Sequence, residues 1–558
     1  MEISQPHTSS RDYLVLSALT LLCLLPFSGK AFHVDDMLFV SAAKQIVNHP
    51  LDPYGFRIVW YTFEMPMAEV TKNPPLAAYY GALIGRLAGW SERAWHVGFL
   101  LPALALVLGT YRLAGHFTRH ALVAAAAALL TPVFMVSATG VMCDVTMLAF
   151  WIWALVLWIE GLDSAKPLCL IGSAMLIAAA ALTKYFGASL ILLVLVYSLL
   201  RRRRRETWAY YLLIPIIALA GYHFWTYALY GRGLLSDAAV YAHFKPANQQ
   251  LPLLQKSLAG LSFAGGCILP ALTFSPLLWS RRQIVIGAGL SGLTAVCIGL
   301  GWITWSTHVA QQNWAWVWSQ MAFLVAGGIS LLALAAVDLW ERRDAESWLL
   351  TLWMLGTFIF AVYVNWTVNG RSILPMIPAA GILIARRLDT MKKESASIPA
   401  IKLFLPLLAA GLFSLWIACA DAGWADSARR AATLVHEKTQ SEPGTVWFAG
   451  HWGFQYYMQA FGARPVDISN FSSSFREGDF VVLPRNNTNL FEIAPEFISS
   501  KEIIEIPMPR GAATMCPELG AGFYSSVWGA LPFVIGPVTP ERYSLLRLGK
   551  PPGTGGAH

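Results

Sequence analysis

The run His33-Val34-Asp35-Asp36-Met37-Leu38-Phe39 stands just past the end of an apolar stretch, Tyr13 to Phe27. Two adjacent carboxylates in that position lie at a membrane surface, where an ionised group is costly unless a partner or water stabilises it. The loop that holds them, Ala31 to Arg93, is too long and too polar to cross a bilayer. Further along, the same loop carries Thr71-Lys72-Asn73-Pro74-Pro75-Leu76, a cation beside a stiff double proline. Within it, Asp35-Asp36 open a short interfacial helix to Val47. Its Phe39, Ala43 and Ile46 recur at i, i+4 and i+7, which suits a helix lying along the membrane surface. Asn48-His49-Pro50 breaks it, and Pro74-Pro75 set the entry to a second helix from Leu76 to Leu87.

Outward from this loop the chain is one hydrophobic segment after another. Of 558 residues only 13% are charged and 23 are Trp, with a mean hydropathy of +0.52, which excludes an ordinary soluble protein. Runs of about 20 apolar residues mark transmembrane helices. Besides the first, spans are expected at 95–114, 121–138, 145–159, 168–183, 186–200, 208–230, 257–279, 283–304, 317–337, 347–366, 373–386 and 399–419, about thirteen in all. The first segment runs into Pro26-Phe27-Ser28-Gly29-Lys30 without a small-residue cleavage site, so it reads as a retained helix. Cys23, Cys143, Cys169, Cys267, Cys297, Cys419 and Cys516 are scattered with no CxxC spacing, which implies neither a metal site nor a disulfide framework.

The net charge of +8 is gathered in short clusters between spans. It therefore reads as topology and lipid contact, with no nucleic-acid binding. His116 to His120, Arg201 to Arg205, Arg281-Arg282, Arg342-Arg343, and Arg386-Arg387 with Lys392-Lys393 all fall on one parity of the span count. The positive-inside rule makes that side cytoplasmic, together with the N-terminus, and turns the 31–93 loop outward. From Asp421 the composition changes. Thr445 to Gly450, Arg464 to Ile468, Asp479 to Leu483, Glu502 to Ile506 and Tyr543 to Leu548 read as strands, and His451 to Phe461 as a helix. The expected organisation is a membrane domain over 1–420, a small extracytoplasmic α/β domain over 421–549 and a flexible tail over 550–558. A nucleotide site is unsupported, because no GxGxxG follows a strand and no P-loop occurs.

The acidic pair after the first helix, the Lys-x-Pro-Pro-Leu element, the count of spans and the outer C-terminal region together resemble the GT-C fold. The chain is similar to bacterial relatives of the protein O-mannosyltransferases and of the aminoarabinose transferase that modifies lipid A, the glycosyltransferase family 39 group. Further matches are Val141-Met142-Cys143-Asp144, Leu182-Thr183-Lys184 and Gly370-Arg371-Ser372-Ile373-Leu374-Pro375. The resemblance covers roughly residues 13–420. It departs at Asp36, where Glu is frequent, and after Arg371, where an aromatic is common.

What the resemblance implies is an inverting transfer of a sugar from a polyprenyl phosphate donor to a hydroxyl on an acceptor lipid, glycan or protein, with no cofactor and no metal. Such chemistry needs a carboxylate as general base and fixed cations near the departing phosphate. By match to the family pair, Asp35 is the base and Asp36 its catalytic companion, orienting the acceptor. Lys72, Asp144, Lys184 and Arg371 form the donor-phosphate site, Arg371 through its planar fork. Each has a plainer alternative: helix caps for the three acids, a solvated loop for Lys72, snorkelling for Lys184 and an interfacial arginine for Arg371. His33, Glu64, Glu69, His243 and Lys245 are outward-loop contacts without a motif, and His451 and Trp452 could touch a sugar. The rival class is a lipid or glycan transporter. Transporters place charge near the bilayer midplane and show two similar halves, whereas here the charges gather at one mouth.

The parity argument predicts that a periplasm-active reporter fused after Ala422 is active, while one fused within Arg201 to Arg205 is silent. Activity from the arginine-run fusion would invert the arrangement and turn the acidic pair inward.

Overall fold

The computed structural model describes residues 8–201, 207–243, 252–300, 313–391, 398–470 and 475–549. Arg202 to Arg205, Lys245, Lys392-Lys393, the end of the expected span 283–304 and the tail from Lys550 lie outside them. Among the described residues eight helices are long and apolar enough to cross a membrane. They are Ser10–Phe27, Glu92–Ala114, Cys143–Ser164, Trp208–Tyr230, Arg281–Gly299, Trp314–Arg342, Ala345–Val364 and Ala400–Thr439. Ala121–Leu129 and Pro132–Ala138 bend by 62° and make a ninth if taken as one span.

Eight or nine among the described residues stand beside the expected count of about thirteen, and the reasons for the difference are local. Pro270 and Pro276 cut the segment 257–279 into Leu253–Cys267, Pro270–Thr273 and Ser275–Leu278, since proline lacks the N–H and clashes with the preceding turn. Pro375 likewise separates Gly370–Ile373 from the helix Ile377–Met391. Pro167–Thr183 and Ser189–Arg201, parted by the extended Lys184, lie where segments 168–183 and 186–200 were expected, but each is shorter than a full span.

The first outer loop is folded. Helices Asp36–Asn48 and Leu76–Ala88 appear within a residue of their expected ends and pack on one another. Phe39, Ala43 and Ile46 are buried, so this apolar face meets protein where a lipid-facing helix was expected. Between the helices lies an unexpected hairpin, Arg57–Trp60 with Phe63–Pro66, in which Trp60 faces Phe63. Its two-residue turn is Tyr61-Thr62, both at positive φ (53° and 72°). That geometry is normally supplied by Asn-Gly, so no turn signal stood in the sequence.

At the C-terminal end, Ala400–Thr439 continues unbroken past the expected 420/421 boundary. Beyond it a five-stranded sheet runs in the order Arg464–Pro465, Val446–Phe448, Phe480–Pro484, Glu541–Leu548, Ile498–Ile506. The first three strands are parallel and the last two antiparallel, with helix Trp452–Ala460 as the crossover. Residues 507–540 stay out of this sheet. They form short pairs, Gly511–Ala513 with Val534–Gly536 and Met515–Cys516 with Ala521–Gly522. Their Met515, Phe523, Leu531 and Phe533 share the apolar core of the spans, while the sheet has its own core around Phe448, Phe454, Val482 and Tyr543. The stretch expected as one unit over 421–549 therefore divides between two cores.

The loop after the first span, the 400–439 helix and the 507–540 strap meet at one buried charge pair. Lys30 Nζ lies 2.6 Å from Asp421 Oδ2, both side chains essentially inaccessible. Lys30 also donates to Thr139 Oγ1 at 3.2 Å. The other Asp421 oxygen accepts from Thr514 Oγ1 at 2.8 Å, and Tyr524 Oη reaches the carboxylate at 3.1 Å. Removing one member of such a pair strands the other in a low-dielectric interior, at roughly 3–5 kcal/mol. Asp421→Leu should accordingly lower the thermal unfolding midpoint of detergent-purified protein sharply. Lys30→Met added to it should recover most of the loss.

Candidate active site

A cavity of about 1380 Å³ opens between the first outer loop, the spans and the C-terminal region. Asp35, Lys72, Asp144, Lys184 and Arg371 all line it. Five residues from four separate stretches of sequence are thus brought to one space, and Asp36 is the exception.

The two adjacent acids are separated by local backbone. Val34 sits at φ 44°, a left-handed conformation that a β-branched residue adopts only under constraint. Asp36, fully buried, accepts from the backbone N–H of His33 at 2.8 Å and of Val141 at 3.1 Å. It ties the start of its helix to the 139–142 turn, and burial pushes its carboxyl up to about 7. Asp35 occupies the N-cap position, but its side chain makes no capping bond. It turns to the cavity, where Arg371 Nη1 lies 3.1 Å from its Oδ2.

Arg371 is positioned by close backbone approach. A Cβ on Gly370 would fall 2.5 Å from the Phe523 ring, and Gly370 N–H donates to Phe523 O at 2.8 Å. Only glycine permits that contact. Asn369 caps the short helix by accepting from Ser372 N–H at 2.8 Å. A π turn, Phe360–Val364, ends the preceding span, an irregularity often found at functional sites. Arg371 also touches Met142 Sδ at 2.8 Å and faces the Tyr524 ring, its Cζ 5.9 Å from the centroid.

Asp144, in the first turn of Cys143–Ser164, is ion-paired with Lys184 at the end of Pro167–Thr183. Lys184 and Arg371 thus each have a carboxylate partner, so their approach does not by itself require a bound anion. Among the described residues Lys72 has none: its Nζ donates to Glu69 O at 2.5 Å and lies 5.2 Å from the Tyr241 ring centroid. Burial draws its pKa below the ordinary value, with Asp237 opposing. Three cations against two carboxylates leave one positive charge in excess along the cavity wall.

Of the weaker candidates, His33 is buried beside Asp421, its Nε2 at 3.8 Å. Glu64 pairs with Arg57, and Glu69 with Arg232. His451 is buried against Trp60, while Trp452 lines the cavity. Among the described residues no group of three or more His, Cys, Asp or Glu could hold a metal ion. Sequence reasoning missed Tyr61, Tyr241 and Tyr524, which line the cavity too. Single tyrosines carry no spacing signal, and Tyr524 reaches the site through the strap.

The chain matches, over residues 72–225, the family model described as dolichyl-phosphate-mannose-protein mannosyltransferase. That segment holds Lys72, Asp144 and Lys184, while Asp35 and Arg371 lie outside it. The match falls within the glycosyltransferase group that the acidic pair and the Lys-x-Pro-Pro element resemble. Similar solved structures include the crystal structure of ArnT from Cupriavidus metallidurans bound to undecaprenyl phosphate. It is 14% identical, covers 86% of this chain and 94% of that chain, and has a TM-score of 0.45. The apo crystal structure of the same ArnT is also 14% identical, covering 85% and 93%, with a TM-score of 0.44. No curated protein matches the chain.

The two acids should separate by experiment. Asp36→Ala leaves the buried N–H groups of His33 and Val141 without an acceptor, at about 1–3 kcal/mol for each. It should lower the unfolding midpoint of the purified protein, whereas Asp35→Asn should leave that midpoint nearly unchanged. Equal losses in both would make Asp35 structural as well.

Proposed function

We propose that the chain is a glycosyltransferase that moves a sugar from a polyprenyl phosphate donor to an acceptor hydroxyl, at the outer face of a bacterial inner membrane. The observation that carries this reading is the composition of this cavity. Beside Asp35, Arg371, Asp144, Lys184 and Lys72, the lining continues between two apolar helices. Leu192, Leu193 and Val196 come from Ser189–Arg201, and Leu352, Trp353 and Gly356 from Ala345–Ile359. A charged pocket continuous with an apolar groove between helices suits an amphiphile with an anionic head and a hydrocarbon tail.

Asp35 acts as general base. It withdraws the proton of the acceptor hydroxyl as that oxygen attacks the anomeric carbon from the face opposite the phosphate, which inverts the configuration. The C–O bond to the lipid phosphate breaks, and negative charge accumulates on the leaving group. Arg371, Lys184 and Lys72 stabilise that charge. With the donor phosphate in place, Arg371 divides its fork between Asp35 and the phosphate. Lys184, held by Asp144, supplies a fixed cation. The polar mouth faces outward, with the N-terminus in the cytoplasm and the C-terminal region outside.

The test is turnover of a polyprenyl-phosphate-linked sugar by purified protein, read as transfer product. Asp35→Asn keeps size but accepts no proton at neutral pH, and should slow transfer by about 10²–10⁴-fold. Arg371→Lys retains charge but loses the two-pronged contact, so it should impair donor use nearly as strongly as Arg371→Ala. Formation of no product by wild type with any polyprenyl donor would favour a transporter. Product from Arg371 variants at the wild-type rate would move the phosphate site elsewhere.

A further inference from the structure

The cavity has a second stretch of lining, built without membrane helices. The hairpin contributes Trp60 and Tyr61, and the C-terminal region contributes Trp452, Asn489 and Trp528. These two segments, some four hundred residues apart, are joined by specific contacts. Gln455 Nε2 donates to Val59 O at 3.2 Å, and Ile468 N–H donates to Thr62 O at 2.8 Å. The His451 ring stacks on Trp60 with centroids 4.4 Å apart. Asn487 holds the adjoining turn in place. Its Oδ1 accepts from His451 N–H at 2.7 Å, and its Nδ2 donates to His451 O at 3.1 Å.

Backbone strain gathers on this wall. Seven non-glycine residues have positive φ among the described residues, and Val34, Tyr61, Trp452 and Asn489 are the ones that line the cavity. For Tyr61 (53°) and Trp452 (65°) this conformation is disfavoured. It persists only where surroundings over-determine it, as at ligand clamps. Asn or Gly would form the 61–62 turn with less strain. What a phenol and an indole add at these positions is a flat ring in the cavity.

We infer that this wall is the acceptor subsite and that it takes a neutral saccharide. This rests on the transferase reading for its place in the reaction. The rings of Trp452 and Trp528 meet edge to face, 6.0 Å apart at 62°, and present apolar faces at two inclinations. Such faces cover the C–H faces of pyranose rings, while Thr488 and Asn489, both in the lining, bond hydroxyls. Among the described residues no Lys, Arg, Asp or Glu belongs to this stretch of lining, so none of them compensates a charged acceptor such as a sugar phosphate. Tyr61 and Asp35 line the same cavity, which brings the saccharide hydroxyl toward the base. The new bond joins that hydroxyl oxygen to the donor's anomeric carbon, its proton passes to Asp35, and the polyprenyl phosphate leaves.

The experiment uses the full chain in lipid nanodiscs without donor. Neutral trisaccharides of glucose, mannose and N-acetylglucosamine are titrated by saturation-transfer NMR and tryptophan fluorescence. Their phosphorylated forms and a serine-rich peptide serve as comparators. At least one neutral trisaccharide should bind more tightly than either comparator. Tyr61→Asn and Trp528→Ala should weaken it by at least about five-fold. Tyr61→Asn should at the same time raise the unfolding midpoint, which rules out misfolding as the cause. Thr62→Gly, which relaxes the same turn outside the cavity, should leave sugar binding unchanged. Undecaprenyl phosphate binding is measured on the same samples and should be unaltered by these substitutions. Absence of binding by every neutral sugar, wild-type affinity in both ring variants, or preference for the peptide or the phosphorylated sugars would each overturn the inference. Sugar binding without any lipid binding would instead remove the donor reading and leave this subsite standing.

Discussion

The buried pair of Lys30 and Asp421 is the contact on which the arrangement of the rest depends. Neither side chain reaches water, and a charge in such a place is tolerable only with a partner of opposite sign and saturated hydrogen bonding. Thr139, Thr514 and Tyr524 supply that saturation. These five residues come from the first loop, the 139–142 turn, the 400–439 helix and the strap. The demand for compensation therefore fixes four segments relative to one another, with the acidic pair only a few residues from Lys30.

From that fixed point the division of labour between Asp35 and Asp36 follows. Asp36 is committed to two backbone N–H groups and serves as a brace. Asp35, freed from capping its own helix, meets Arg371 at the cavity wall. Two identical side chains one residue apart thus have different chemistry because the N-cap position of Asp35 and the first-turn position of Asp36 face different surroundings. The same strap that supplies Thr514 and Tyr524 to the charge pair presses Phe523 on Gly370, so the cation opposite Asp35 is set by the element that sets Asp421.

The cavity combines a charged wall with one cation in excess, an apolar groove between helices and a neutral aromatic wall. Each has a distinct origin: loop ends of the spans, the helix bodies, and the hairpin joined to the C-terminal region. A single space with three surfaces suits a reaction in which lipid tail, phosphate and acceptor must be held at once. The positive-φ positions collect along it, where constraint from several packed segments can maintain a backbone that local sequence opposes.

Local physics was written in the sequence. Apolar length marked the membrane helices, the clustered basic residues suggested their sidedness, and the alternating runs after Thr445 gave the strands and helix of the C-terminal sheet. Asp35, Lys72, Asp144, Lys184 and Arg371 stood out by position and by family resemblance, and the fold brings all five to one cavity. Tertiary structure decided what depends on partners distant in sequence. Prolines turned some expected spans into broken helices, since hydropathy counts apolar residues but not interrupted hydrogen bonds. The hairpin at Tyr61-Thr62 lacks turn residues because contacts from Ile468 and Gln455 hold it. Asp421, a single acid inside a long helix, and Tyr524, a single tyrosine in a strap, gain their roles only by meeting Lys30 and Arg371. No pattern within either segment could encode that meeting, because the compensating charge lies hundreds of residues away.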